Sequence, residues 1–192
     1  VYVDADVTLF QGQNQLNVKR IRKADEGEYH PADYLPVTTK DIPAMQHELI
    51  QYITTIKNEY LRKLASGYFN DPEFMKAFSF HSAAKSVHHG FVGGLLEHTL
   101  SVVKMCDYFS KQYPLINRDL LLTAAMFHDI GKTKELSAFP ANDYTDDGQL
   151  LGHIIIGSQM VKERIDAMPG FPKKLESELI HCILAHHGEL EY

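Results

Sequence analysis

The chain has 192 residues and 44% hydrophobic content, enough for one sizeable domain plus a smaller piece, and too apolar for a disordered polypeptide. Its 25 acidic and 19 basic side chains give a formal net charge of −6, which excludes a whole-chain basic footprint for nucleic acid but leaves room for a local one. No apolar run approaches bilayer length and no secretory signal is visible, so no membrane partner is expected.

Residues 1–24 alternate in strand fashion, with Val1, Val3, Val7 and Leu9 on one parity, a turn at Gly12, Gln13 and Asn14, and Leu16 and Val18 before Ile21. A lone hairpin is marginal in water and must belong to something larger. The chain begins at Val1 rather than Met, and a fragment is the expectation. The second strand ends in Lys19, Arg20, Arg22 and Lys23, which serve either as a solvated strand end or as contacts to a phosphate backbone. Residues 25–40 are polar, carry Pro31 and Pro36, and read as a linker.

From Asp41 the pattern turns helical and stays so. Asp41 caps a helix with Pro43 in its first turn, and its stripe runs Met45, Leu49, Ile53, Ile56, Tyr60, Leu64. Asp71 and Pro72 start a short helix through Phe78. A helix over about 94–113 shows Leu95, Val102, Cys106 and Phe109 on one side. Asn117 caps an apolar helix through Phe127 that stops near Gly131. A loop follows over 137–148, then helices over about 149–168 and from Pro172 to His187. The two cysteines, Cys106 and Cys182, lie in apolar helical stretches, as buried thiols of a cytoplasmic protein do. The predicted fold is mainly α, an all-helical domain over 41–192 behind a β-hairpin remnant.

Eleven histidines are the compositional outlier, and many fall at motif-like positions. His98 stands in GGLLEHT, His128 and Asp129 in FHDIGK, His153 in LLGHIIIG, His186 and His187 in LAHHG, and His88 with His89 in KSVHHGF. One histidine on an apolar helix is more commonly a satisfied core residue than a ligand. Here that ordinary reading would have to hold several times over, and His128 and Asp129 follow four apolar residues, Ala124 to Phe127, where an unpaired carboxylate is costly. Imidazoles with a carboxylate suit manganese, iron, cobalt or zinc. A carboxylate has two oxygens, so Asp129 can bridge two ions while His128 binds one, an arrangement suited to in-line attack on phosphorus. His30, His47 and His181 lack such context.

These residues resemble the HD-domain superfamily, named for its His-Asp doublet. The resemblance makes His98 the first ligand, His128 and Asp129 the doublet, and His153 and His186 the extra histidines of two-metal members. His187 is a second ligand or a hydrogen-bond partner. Lys132 matches the lysine of HD-x-G-K variants and would neutralise phosphate charge. KSVHHGFVGGLLEHTLSV, HDIGK, GQLLGHIIIGS and LAHHGELEY are together similar to the bacterial 3′–5′ exoribonucleases of the YhaM family, which join an N-terminal OB-fold to an HD domain. The first segment is similar to the closing strands of such an OB-fold, so that the hairpin is expected to be its C-terminal remnant. The family's final aspartate ligand is expected beyond Tyr192; Glu189 and Glu191 are the only later carboxylates and are poor substitutes.

What the resemblance implies is a 3′–5′ exoribonuclease with two divalent ions, manganese by family likeness, acting on single-stranded RNA or single-stranded DNA and releasing nucleoside monophosphates. Lys132, with His88 and His89, would hold non-bridging oxygens or protonate the leaving oxygen; structural hydrogen bonding is the equal alternative for the two histidines. Lys19, Arg20, Arg22 and Lys23 would contact the strand. The alternatives are an HD-type nucleotide phosphohydrolase or cyclic-dinucleotide phosphodiesterase, and a non-catalytic HD module.

Overall fold

A computed structural model of the chain describes residues 1–25, 27–29, 33–85 and 90–188. It divides into two compact units, Val1–Leu35 and Pro36–Tyr192.

The first unit is a two-stranded antiparallel hairpin, β1 (Tyr2–Phe10) and β2 (Gln13–Arg22). The turn lies one residue earlier than the sequence suggested. Gln11 and Gly12 both have positive φ, 50° and 79°, as a two-residue hairpin loop matched to strand twist requires, and Gln13 and Asn14 already pair in β2. Register places Val3 opposite Ile21 and Val7 opposite Leu16, with a bulge between Asp4 and Ala5. Val7, Leu9, Leu16 and Ile21 are all exposed, so the hairpin encloses no core of its own.

The second unit is helical: α1 (Ile42–Thr54), α2 (Glu59–Phe69), α3 (Pro72–Phe80), α4 (Gly94–Gln112), α5 (Arg118–Phe127), α6 (Lys132–Glu135), α7 (Asp146–Leu150), α8 (Gly152–Asp166) and α9 (Lys173–Leu184). The Asp41 and Asp71 carboxylates accept from Ala44 N and from Glu73 and Phe74 N, capping α1 and α3. The expected linker over 25–40 is divided, because Thr38 N donates to Val92 O and Val92 N to Pro36 O, fastening 36–40 to the helical unit.

Two expected helices are each broken in two. The stripe from Met45 to Leu64 is interrupted at 55–58, where Asn58 caps α2 and the Asp119 carboxylate of α5 accepts from Lys57 N and Asn58 N. The stripe survives the break, since Met45, Leu49, Ile53, Ile56 and Leu64 are all buried. The helix expected over 149–168 is split at Gly152, whose φ of +70° no helix continues through, leaving α7 to pack separately.

Inside the unit Phe69 stacks on Phe127 with ring centroids 5.8 Å apart and meets Phe78 edge-on at 5.3 Å. Burial of each such side chain contributes roughly 1.5–3 kcal/mol. α5 is sheathed by this core from Leu122 to Phe127, so the doublet that follows is presented from a rigid support. α4 and α5 run antiparallel: His98 lies beside His128 at one end, and Arg118 pairs with Asp107 at 2.7 Å at the other.

Candidate metal centre

Asp129 lies at the focus of the helical unit. Its Oδ2 is 3.5 Å from both His98 Nε2 and His128 Nε2, and its Oδ1 is 3.3 Å from His153 Nε2 and 3.8 Å from His186 Nε2. The two oxygens thus face two different histidine pairs. His98 Nε2 and His128 Nε2 are themselves 3.0 Å apart. That is about the edge spanned by donors each roughly 2.1 Å from one ion.

Backbone geometry aims these nitrogens. His128 Nδ1 lies 2.8 Å from Ala125 O, His186 Nδ1 2.7 Å from Ile183 O, and His153 Nδ1 3.0 Å from a Glu135 carboxylate oxygen. Each partner is an acceptor, so each Nδ1 carries a proton, and each Nε2 faces Asp129, with a lone pair to offer an ion whenever the ring is neutral. His153 Nε2 and His186 Nε2 are buried without a hydrogen-bond partner among the described residues. Orphaned lone pairs are costly in a folded interior, and a cation beside Asp129 satisfies them. Three-residue groups able to hold an ion are His98–His128–Asp129 and His153–His186–His187. The donor set therefore fits divalent metal ions.

Electrostatics agree. Burial alone would raise the Asp129 pKa, but the hydrogen bond and charge of His128, with Lys132 and His153 beyond, hold its carboxyl well below the usual range. Burial, joined by the charges of neighbouring histidines, lowers His186 to about 4, so its imidazole is neutral at ordinary pH.

Lys132 begins α6, with Nζ 4.0 Å from Asp129 Oδ1 and 3.4 Å from Glu135 Oε2. His187 is exposed, its ring 4.4 Å from that of His186 and 5.1 Å from that of His153. His88 and His89, and the late carboxylates Glu189 and Glu191, lie outside the described residues. On the hairpin, Lys19 pairs with Asp6 at 2.7 Å and Arg22 with Glu28 at 2.7 Å. Arg20 and Lys23 have no ion pair among the described residues.

Sequence reasoning missed Glu135. Its Oε1 accepts from His153 N at 3.0 Å as well as facing His153 Nδ1. α8 has no side-chain cap from its own N-cap residue, and Glu135 supplies the acceptor. One buried carboxylate thus caps the helix and fixes the ring that helix presents. The signal available in sequence was a glutamate one turn after Lys132; what hid it was that its partner lies 18 residues on.

Close backbone contact sets the spacing. A Cβ at Gly131 would stand 2.0 Å from His153 O and 2.6 Å from Gly157 N, so the turn after the doublet sits directly on α8. The centre opens into a cavity of about 590 Å³, lined on one side by His98, His128, Asp129, Lys132, His186 and His187.

The HD domain family profile matches residues 95–192, the segment that carries every residue of this centre. The chain belongs to the HD-domain family. Over its full length it is 36% identical to a protein of Bacillus velezensis named 3′-5′ exoribonuclease YhaM, and equally to one of that name from Bacillus licheniformis. It spans 60% of the length of each of these relatives. No solved structure gives a significant match. Membership implies divalent metal binding, and the histidine and aspartate groups above are the residues that could provide it. Among the described residues, no helix is long and apolar enough to cross a membrane.

Proposed function

We propose that this chain is the HD-domain part of a metal-dependent, cytoplasmic 3′–5′ exoribonuclease that hydrolyses terminal phosphodiesters of single-stranded RNA to nucleoside monophosphates. The observation that carries the reading is the division of Asp129 between two histidine pairs, joined to the likeness to relatives named as 3′-5′ exoribonucleases. Single-stranded DNA has the same phosphodiester and is the second substrate to test.

His98, His128 and Asp129 would hold one divalent ion, and His153, His186 and Asp129 the other, with His187 beside the second. Manganese is the proposed metal. When bound, such ions polarise a phosphoryl group and acidify water. Asp129, ionised throughout the physiological range, supplies the negative charge that retains them. The Nδ1 tethers keep the imidazoles in the tautomer that donates a lone pair from Nε2. Lys132 stands where its ammonium would offset charge on a non-bridging phosphate oxygen. The hairpin would belong to an OB-fold that guides the strand through Arg20 and Lys23.

The test is full-length protein with added manganese and a 5′-labelled RNA oligonucleotide, with Asp129→Ala beside it. Stepwise shortening from the 3′ end, lost in the variant, is expected. Hydrolysis of a nucleoside triphosphate or cyclic dinucleotide with oligonucleotides untouched would transfer the reading to a small-molecule phosphohydrolase.

A further inference from the structure

The sequence places Leu95, Val102, Cys106 and Phe109 on one side of α4. Leu95 is buried, but Val102 and Cys106 are only half-buried and Phe109 is 44% exposed. The core face lies beside this stripe, through Leu96, Leu100 and Val103, with Val102 and Cys106 packed against its edge. His98, Val102, Cys106, Phe109 and Tyr113 recur at helical spacing and share one side of the helix.

That side begins at the candidate metal centre and leads away from it. The 590 Å³ cavity that holds His98 and Asp129 is also walled by Val102, Cys106, Leu121 and Cys182. Because α4 and α5 are antiparallel, Cys106 and Leu121 lie toward the same end, roughly 10–12 Å along the helix axes from His98 and His128. Cys182 of α9 is four residues before His186, which lies in the turn after that helix. The cavity thus grades from a polar end to an apolar one. Farther along α4, Phe109 and Tyr113 stack with planes 26° apart and centroids 6.4 Å apart, both rings exposed.

We propose that this face of α4 is a track for single-stranded nucleic acid, with the scissile phosphodiester at Asp129, the adjoining base against Val102 and Cys106, and upstream bases stacked on Phe109 and Tyr113. It rests on the phosphodiesterase reading above. The occupant has to be charged at one end of the cavity, flat and uncharged along its wall, and thin enough to pass from a recess onto an exposed pair of rings. A single strand meets all three conditions, and base stacking on aromatic rings tolerates any sequence. A second copy of the chain could cover the rings but would not fill the recess. Phe109 is eleven residues beyond His98, about 16 Å along the axis. A strand of about five nucleotides spans that even at the stacked rise of roughly 3.4 Å, whereas a dinucleotide has one nucleoside upstream of its bond and does not reach.

Full-length protein carrying Phe109→Ala and Tyr113→Ala is compared with wild type on a decanucleotide and a dinucleotide. The ratio of kcat/KM for the long over the short substrate is expected to fall about tenfold, the size of one lost base stack, and Phe109→Trp with Tyr113 intact should keep it. A ratio equal to wild type overturns the track, as does a change of oligomeric state by light scattering without a change of ratio. Anisotropy of a labelled decanucleotide with metal chelated supplies a readout independent of hydrolysis. There the double variant should bind about tenfold more weakly. If wild type cleaves no phosphodiester yet shows that difference, the hydrolytic reading falls and the track stands; equal binding removes the track whatever the enzyme cleaves.

Discussion

Glu135 and His153 are joined twice, through the backbone N–H of His153 and through its Nδ1, both to the same carboxylate oxygen at 3.0 Å. The pairing leaves Nε2 of the ring facing Asp129 at 3.3 Å. Glu135→Gln keeps an acceptor for the backbone but weakens the hold on the ring. Metal affinity measured by titration calorimetry should fall about 10–100-fold, the usual effect of removing the carboxylate behind a ligand histidine, with the helical circular dichroism unchanged. Unaltered affinity would leave Glu135 as a helix cap only.

Gly131→Ala puts a methyl group 2.0 Å from His153 O. Backbone cannot retreat as a flexible side chain can, so α6 and α8 must separate. A loss of about 1–3 kcal/mol or more is expected, read as a lower midpoint in urea. Metal affinity should drop with it, because the same displacement carries His153 away from Asp129.

Asp107 ties α4 to α5 through Arg118 at 2.7 Å and pairs with Lys111 of its own helix at 2.6 Å. Burial would raise its pKa, yet the hydrogen bonds and charges of Lys111 and Arg118 hold it below the usual value. The folded value lies below the unfolded one, so the stabilisation is present above the unfolded pKa near 3.9 and is lost as pH falls through the folded value. Asp107→Asn should therefore lower stability at pH 7 and flatten the acid limb of a stability-against-pH curve below about pH 4. A parallel acid limb in both proteins would contradict the assignment.

On the hairpin, Arg20 and Lys23 offer charge that Lys19 and Arg22 already share with Asp6 and Glu28. Arg20→Ala and Lys23→Ala should each reduce the salt dependence of RNA binding by about one unit of slope. Lys19→Ala and Arg22→Ala should do less.

The candidate metal centre was largely legible in the sequence because each of its residues sits in its own motif. His98, His128, Asp129, His153 and His186 were all singled out from local pattern, and the structure brings all five together. What local pattern could not supply was anything set by a distant partner. Glu135 acts on a ring 18 residues away. The break at 55–58 depends on Asp119, and apolar periodicity ran straight through it. The stripe on α4 was visible, but period alone cannot say whether an apolar face meets the core or lines a cavity.

The histidines around Asp129 come from α4, the turn after α5, α8 and the turn after α9. An ion seated there would serve as a cross-link between chain segments as far apart as His98 and His186, comparable in effect to a staple that shortens the loops of the unfolded chain. Chelation should then do more than silence chemistry. It should loosen the end of α9 first, since His186 follows the last residue of that helix and faces Asp129 from 3.8 Å.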